Sequence, residues 1–217
     1  MKDYSVGIET KKQIIQASKK LFYEKGLHGT SYKEICLLAN VNQGTLHYHF
    51  KSKYLLAKYI IDEYNEQLGE VINDLLEKEK STNLYLKFVL NTYVCLYYKF
   101  KDENFNRFSS EIFKYQANEN RVDTYRYYYQ NLGLPQNMDI NMSENQVTLI
   151  ALLSVDISVP AFLAQNKDKY DWLRAAKELL SLYGRILCDN QNADYLEAIK
   201  EGEKLLKNYK FKEIKWY

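Results

Sequence analysis

Nowhere in the 217 residues do apolar and polar side chains alternate with period two over a useful length; spacings of three and four recur instead. Only eight Gly and two Pro interrupt this pattern, and both residues break helices. The chain is therefore expected to be all-α, and it contains no internal repeat or low-complexity tract. Apolar residues make up 46% of it, enough for a core in one or two compact domains.

The overall charge is only +2, but its distribution is uneven. Residues 1–60 hold ten Lys, no Arg and four acids, a balance of +6, which leaves −4 for residues 61–217. A basic head on an acidic body places a phosphate-binding surface at the N-terminal end. Within that head Ile14, Ile15, Ala17, Leu21 and Phe22 define one apolar helix face, and Gly26 suits its left-handed end. Thr30 or Ser31 suits the N-cap of a second helix, and Glu34 has the spacing to complete a capping box with Ser31. That helix turns Ile35, Leu38 and Ala39 inward and stops at Asn40, which tolerates a left-handed backbone. A short helix to Phe50 follows, and Ser52 caps a long one from Lys53 to about Lys78. Two short helices joined by a tight turn at 40–42 describe a helix-turn-helix.

The string Phe22, Gly26, Thr30-Ser31, Ile35, Ala39-Asn40-Val41, Gly44-Thr45-Leu46, His49-Phe50, Ser52-Lys53 and Leu56 resembles the DNA-binding head of the TetR family of repressors. The resemblance covers about residues 10–57. It departs at Asn40, where the family usually has Gly, and at His47 and His49, where Tyr is common. It implies an N-terminal three-helix DNA-binding domain over residues 1–55 and a larger helical ligand-binding and dimerisation domain over residues 56–217.

A recognition helix lies in the major groove with its N-terminal residues at base edges. The candidates are Asn42, Gln43, Gly44, Thr45, His47, Tyr48 and His49. Gln43 suits adenine, the Thr45 methyl suits thymine, and Gly44 allows close backbone approach. Thr30, Lys33 and Lys53 are the candidates for phosphate contacts. Leu46 and Phe50, four apart, face the core. His47 and His49 point to nearly opposite helix faces and do not share a metal ion. No metal or other cofactor is expected.

The body reads as helices near 83–101, 104–116, 119–132, 143–166, 170–189 and 194–209, with a loop at 134–141 containing Pro135. The segment 143–166 is apolar nearly all round, so it needs covering on more than one side. Pro160 removes the N–H that the Asp156 carbonyl would accept, which is expected to kink it. A small-residue stripe there allows close helix approach, and the resemblance implies that this helix and the one at 170–189 form a homodimer interface, here through Ala151, Ser154, Ser158, Phe162, Ala176, Leu180, Tyr183 and Leu187. A core helix in a monomer is the plainer account. The aromatics Tyr93, Tyr97, Phe100, Phe105, Phe108, Phe113, Tyr115, Tyr125, Tyr128 and Tyr129 together suit the lining of an apolar pocket; Tyr93, Tyr97, Phe108, Tyr115 and Tyr128 lead them, with Glu111 as the charged member, suited to an aromatic or cationic ligand. For any single aromatic the core is the simpler reading, and Glu111 also has Arg107 and Lys114 within one helix turn.

Cys36, Cys95 and Cys188 are odd in number and widely separated, as expected of reduced thiols. With no apolar leader in residues 1–10 and no membrane-length apolar run, a cytoplasmic protein is expected. No Gly-rich phosphate loop, nucleophile motif or paired metal ligands argue for an enzyme. The expected function is a repressor that binds palindromic double-stranded operator DNA as a homodimer and is released by a small-molecule effector. The alternative is a DNA-binding regulator controlled by a protein partner.

Overall fold

The computed structural model describes residues 2–77, 81–118, 146–187 and 192–216. Among these residues there are nine helices and no strand. They are α1 (Lys2–Lys25), α2 (Tyr32–Ala39), α3 (Gln43–His49), α4 (Lys53–Leu76), α5 (Leu86–Lys101), α6 (Glu103–Asn118), α7 (Gln146–Gln165), α8 (Trp172–Leu187) and α9 (Ala193–Leu206). The helix expected at 119–132 and the loop at 134–141 lie outside the described residues, as does Cys188. Cys36 and Cys95 are free thiols.

Local chemistry sets the ends of the head helices. Ile14, Ile15, Ala17, Leu21 and Phe22 are buried on one face of α1. That helix ends at Gly26, whose φ of +77° is one that L side chains resist. Ser31 Oγ accepts the Glu34 N–H at 3.2 Å, and the Glu34 carboxylate accepts the Ser31 N–H at 2.8 Å, which completes the capping box. Asn40 takes the left-handed turn with φ 52° and ψ 46°. Leu38, expected to face inward with Ile35 and Ala39, is instead 47% exposed. A helix of only eight residues has room for one buried face, and Ile35, Cys36 and Ala39 occupy it.

The expected boundary at residue 55 falls three residues into α4, an unbroken helix of 24 residues, about 36 Å long at the α-helical rise. Buried side chains form one continuous cluster from Ile14 to Trp216, so head and body share a core. Central to the body is α5, which packs against α4, α6, α7, α8 and α9. After α9 the chain returns without regular structure, and the buried Trp216 donates its indole N–H to the Lys19 carbonyl of α1 at 2.8 Å.

The helix α7 runs through Pro160 from Gln146 to Gln165. Leu152, Pro160, Leu163 and Ala164 are buried, while Ser154 and Ser158 are exposed and Phe162 is 56% exposed. Ala151 and Leu187 are half-buried. By contrast Ala176, Leu180 and Tyr183, expected at a subunit interface, are at most 5% exposed inside the protomer. They form the face of α8 that packs on α5 and α7. Side chains already packed within one chain have no surface left to bury against a second.

Candidate nucleic-acid interface and body cavity

The recognition helix is held from behind by its own sequence. Leu46 and Phe50 are buried at 0% and 6% exposure, so the helix is keyed into the head by two side chains four residues apart. Its N-cap is Asn42, whose Oδ1 accepts the Thr45 N–H at 2.8 Å. A Cβ on residue 44 would lie 3.2 Å from that oxygen, so Gly44 leaves the cap room. The cap occupies Asn42 Oδ1, although the residue itself is exposed at the helix start. Gln43, Gly44, His47 and Tyr48 are exposed, and Tyr48 is 76% exposed, high for an aromatic side chain without a partner surface. Thr45 and His49 are half-buried, with the His49 ring edge-on to Tyr48 at 5.2 Å.

The three residues expected at phosphates divide. Lys33 is exposed near the start of α2. Thr30 is 2% exposed, its hydroxyl donating to the Gly26 carbonyl at 2.8 Å. Lys53 donates to the Leu27 carbonyl at 2.8 Å and the Thr30 carbonyl at 2.7 Å, and burial lowers its pKa. These two side chains brace the turn between α1 and α2. Other head lysines are also engaged: Lys19 pairs with Glu63 at 3.0 Å, and Lys11 lies 4.7 Å from the Tyr59 ring centroid. Lys51, which the sequence reading passed over, is exposed immediately before the Ser52 cap of α4. The signal for it was its place between the recognition helix and the next helix N-terminus, where phosphates are favoured.

The body contains a cavity between α4, α5, α6, α7 and α8, with about 60 Å³ available to the centres of water molecules. Its walls include Ile61, Asn65, Phe88, Asn91, Cys95, Lys99, Phe105, Phe113, Asp156, Pro160 and Tyr183. None of the six leading candidates is among them, whereas Phe105 and Phe113 of the same aromatic set are. Tyr93 is fully buried and donates its hydroxyl to Glu203 at 3.3 Å. Tyr97 stacks on Phe211 at 3.6 Å, and Phe108 stacks on Phe22 at 5.3 Å. Tyr115 is 37% exposed and stacks on Tyr54 at 4.3 Å, while Tyr128 lies outside the described residues. Glu111 faces an open cleft and the head, where it accepts the Leu27 N–H at 2.5 Å. Ring stacking in the core claims the aromatics, and the unpaired N–H groups after α1 claim the carboxylate.

Asp156, noted in the sequence as an acid within an apolar helix, does reach the cavity and accepts a hydrogen bond from the Tyr183 hydroxyl. Burial pushes the Cys95 thiol up to about 11, so it is protonated and unreactive near neutrality. No group of three His, Cys, Asp or Glu among the described residues is placed to hold a metal ion. No described helix is long and apolar enough to cross a membrane.

A capped two-helix turn presenting an exposed third helix defines a helix-turn-helix DNA-binding module. Residues 14–60 match the family model described as bacterial regulatory proteins, tetR family. Over 58 residues the chain is 36% identical to the HTH-type transcriptional regulator TtgR of Pseudomonas putida, covering 27% of this chain and 28% of that protein. It is 38% identical over 58 residues to the HTH-type transcriptional regulator UidR of Escherichia coli, covering 27% and 30%. The matches thus span less than a third of these relatives' length. A crystal structure of a gamma-butyrolactone receptor (ArpA like protein) aligns over 94% of this chain and 99% of its own, at 15% identity and a TM-score of 0.44. Similarity at that level says nothing about what the body binds.

Proposed function

We propose that this chain is a TetR-type transcriptional regulator, a repressor that binds palindromic operator DNA as a homodimer and is released by a small-molecule effector. The observation that carries the reading is the exposed row Gln43, Gly44, His47 and Tyr48 on a helix keyed into a family-matched head. Exposed Lys33 and Lys51 flank it and supply sequence-independent affinity for phosphates. Of the expected DNA contacts, Gln43, Gly44, Thr45, His47, Tyr48 and His49 remain base-facing candidates, while Asn42, Thr30 and Lys53 act by holding them in place.

Homodimerisation is supported by the outward side of α7, where an apolar helix leaves Ala151, Ser154, Ser158 and Phe162 uncovered or half-covered by its own protomer. Successive major grooves require recognition helices about 34–36 Å apart. An effector that prefers another spacing weakens DNA binding through linkage, typically by about 1–3 kcal/mol. The cavity in the body favours such an effector over control by a protein partner, which a solidly packed body would suit better.

Selection of preferred sites from random duplex DNA, followed by salt titration, tests the reading. An inverted repeat is expected, with affinity falling steeply as salt rises. Gln43→Ala should lose about 1–3 kcal/mol and relax specificity at one position of each half-site. Lys33→Ala should weaken all sequences alike and reduce the salt slope by about one. Recovery of no consensus, with only weak salt-sensitive binding, would sink the proposal.

A further inference from the structure

Lys99 is the unusual member of the cavity wall. It is 7% exposed, on the central helix of the body. Its ammonium lies 5.3 Å from the Phe113 ring centroid, and among the described residues it has neither a hydrogen bond nor an ion pair. The Asp156 carboxylate on the same wall acts on it through charge but without a direct hydrogen bond, and a largely buried ammonium without a direct acceptor is costly. The other charged member is already engaged, since Asp156 accepts the Tyr183 hydroxyl. The unmet demand in this cavity is therefore for an acceptor.

We propose that the cavity between α4 and α8 binds a small, mainly apolar molecule through an oxygen acceptor, a carboxylate or carbonyl, seated on Lys99. The inference rests on reading the body as an effector domain and specifies the chemistry of that site. It also reverses the sign expected from the sequence, where a carboxylate among aromatics suggested a cation. The apolar walls, Ile61, Leu68, Phe88, Phe105 and Phe113, suit a short hydrocarbon tail. Room for water centres totalling about 60 Å³ corresponds to roughly four to six waters, so the ligand has only a few heavy atoms.

The site is also placed to be felt at the head. Ile61, Asn65 and Leu68 of its wall belong to α4, and the first residue of that helix, Lys53, holds the Leu27 and Thr30 carbonyls. A ligand that shifts α4 therefore pulls on the brace at the turn between α1 and α2 of the head.

The test is thermal unfolding of the full chain with butyrate or hexanoate, butyramide or hexanamide, and butylammonium or hexylammonium, each at matched ionic strength. Acids and amides should raise the Tm and the ammonium compounds should not. Acids outperforming amides would identify a carboxylate ligand, and the reverse order a neutral carbonyl. Lys99→Met, with Lys99→Gln in case the first misfolds, should abolish the shift measured from each variant's own unliganded Tm. A shift from the ammonium compounds, a shift that survives both substitutions, or no shift from any probe would overturn the proposal. Site selection on DNA, run without these compounds, stands or falls separately, so loss of the regulator reading would not be mistaken for loss of this one.

Discussion

Glu34 joins two helices at a single carboxylate. It accepts from the Ser31 N–H at 2.8 Å, from the Ser31 hydroxyl at 2.7 Å and from the Lys25 ammonium at 2.5 Å. The Lys25 hydrogen bond, then those from Ser31, bring its pKa down from the usual 4.5 to about 2. A carboxyl whose folded pKa lies below its unfolded value stabilises the fold fully above the unfolded value and loses that contribution as pH falls toward the folded one. Glu34→Gln should therefore lower the Tm at neutral pH, and the gap from wild type should close as pH falls from about 4.5 to about 2. A gap constant with pH would mean that the charge contributes nothing beyond the amide. The surface position limits the size of the effect, since exposed pairs are screened by solvent.

At the scale of elements, the join between α1 and α6 ties head to body. The guanidinium of Arg107 donates to the Tyr23 carbonyl at 2.7 Å, and Glu111 accepts from Leu27 N–H at 2.5 Å and His28 N–H at 3.4 Å. Helix ends leave such backbone groups without intrahelical partners, and here a second helix supplies them. Gly26 makes the approach possible, because a Cβ there would stand 2.7 Å from the Glu111 carboxylate. Gly26→Ala should cost more than the roughly 1–2 kcal/mol of a left-handed backbone for an L residue. In a Glu111→Ala background the cost should fall to that backbone value, as urea unfolding would measure. Equal costs in the two backgrounds would show that the carboxylate yields freely.

Across the whole molecule the C-terminal residues act as a strap. The Trp216 ring lies 5.0 Å from Phe108, 5.7 Å from Tyr64 and 5.8 Å from Tyr23, measured between centroids. Upstream, Phe211 stacks on Tyr97 at 3.6 Å and the Lys212 carbonyl accepts the Tyr98 hydroxyl at 2.7 Å. The strap thus touches α1, α4, α5 and α6. Trp216→Ala should destabilise by about 3–5 kcal/mol, the usual range for truncating a buried aromatic. Because head and body share one core, urea unfolding should remain a single transition. A loss under about 1 kcal/mol, well below that range, would mean that the strap contributes little to the shared core.

What the sequence determined by itself is what short spacings control. The three-to-four periodicity defined the helices, and Ser31, Asn40 and Ser52 marked their ends, because a cap bonds a backbone group only a few residues away. Leu46 and Phe50 were legible as inward-facing for the same reason. The tertiary structure decided everything that depends on how helices pack. It set Lys53 against carbonyls 26 and 23 residues earlier in the chain, and Glu111 against an N–H 84 residues away. It turned Ala176, Leu180 and Tyr183 into the protomer core and put Lys99, not Glu111, at the cavity wall. A side chain's periodicity says that it faces inward; only the packing of neighbouring helices says what it meets there.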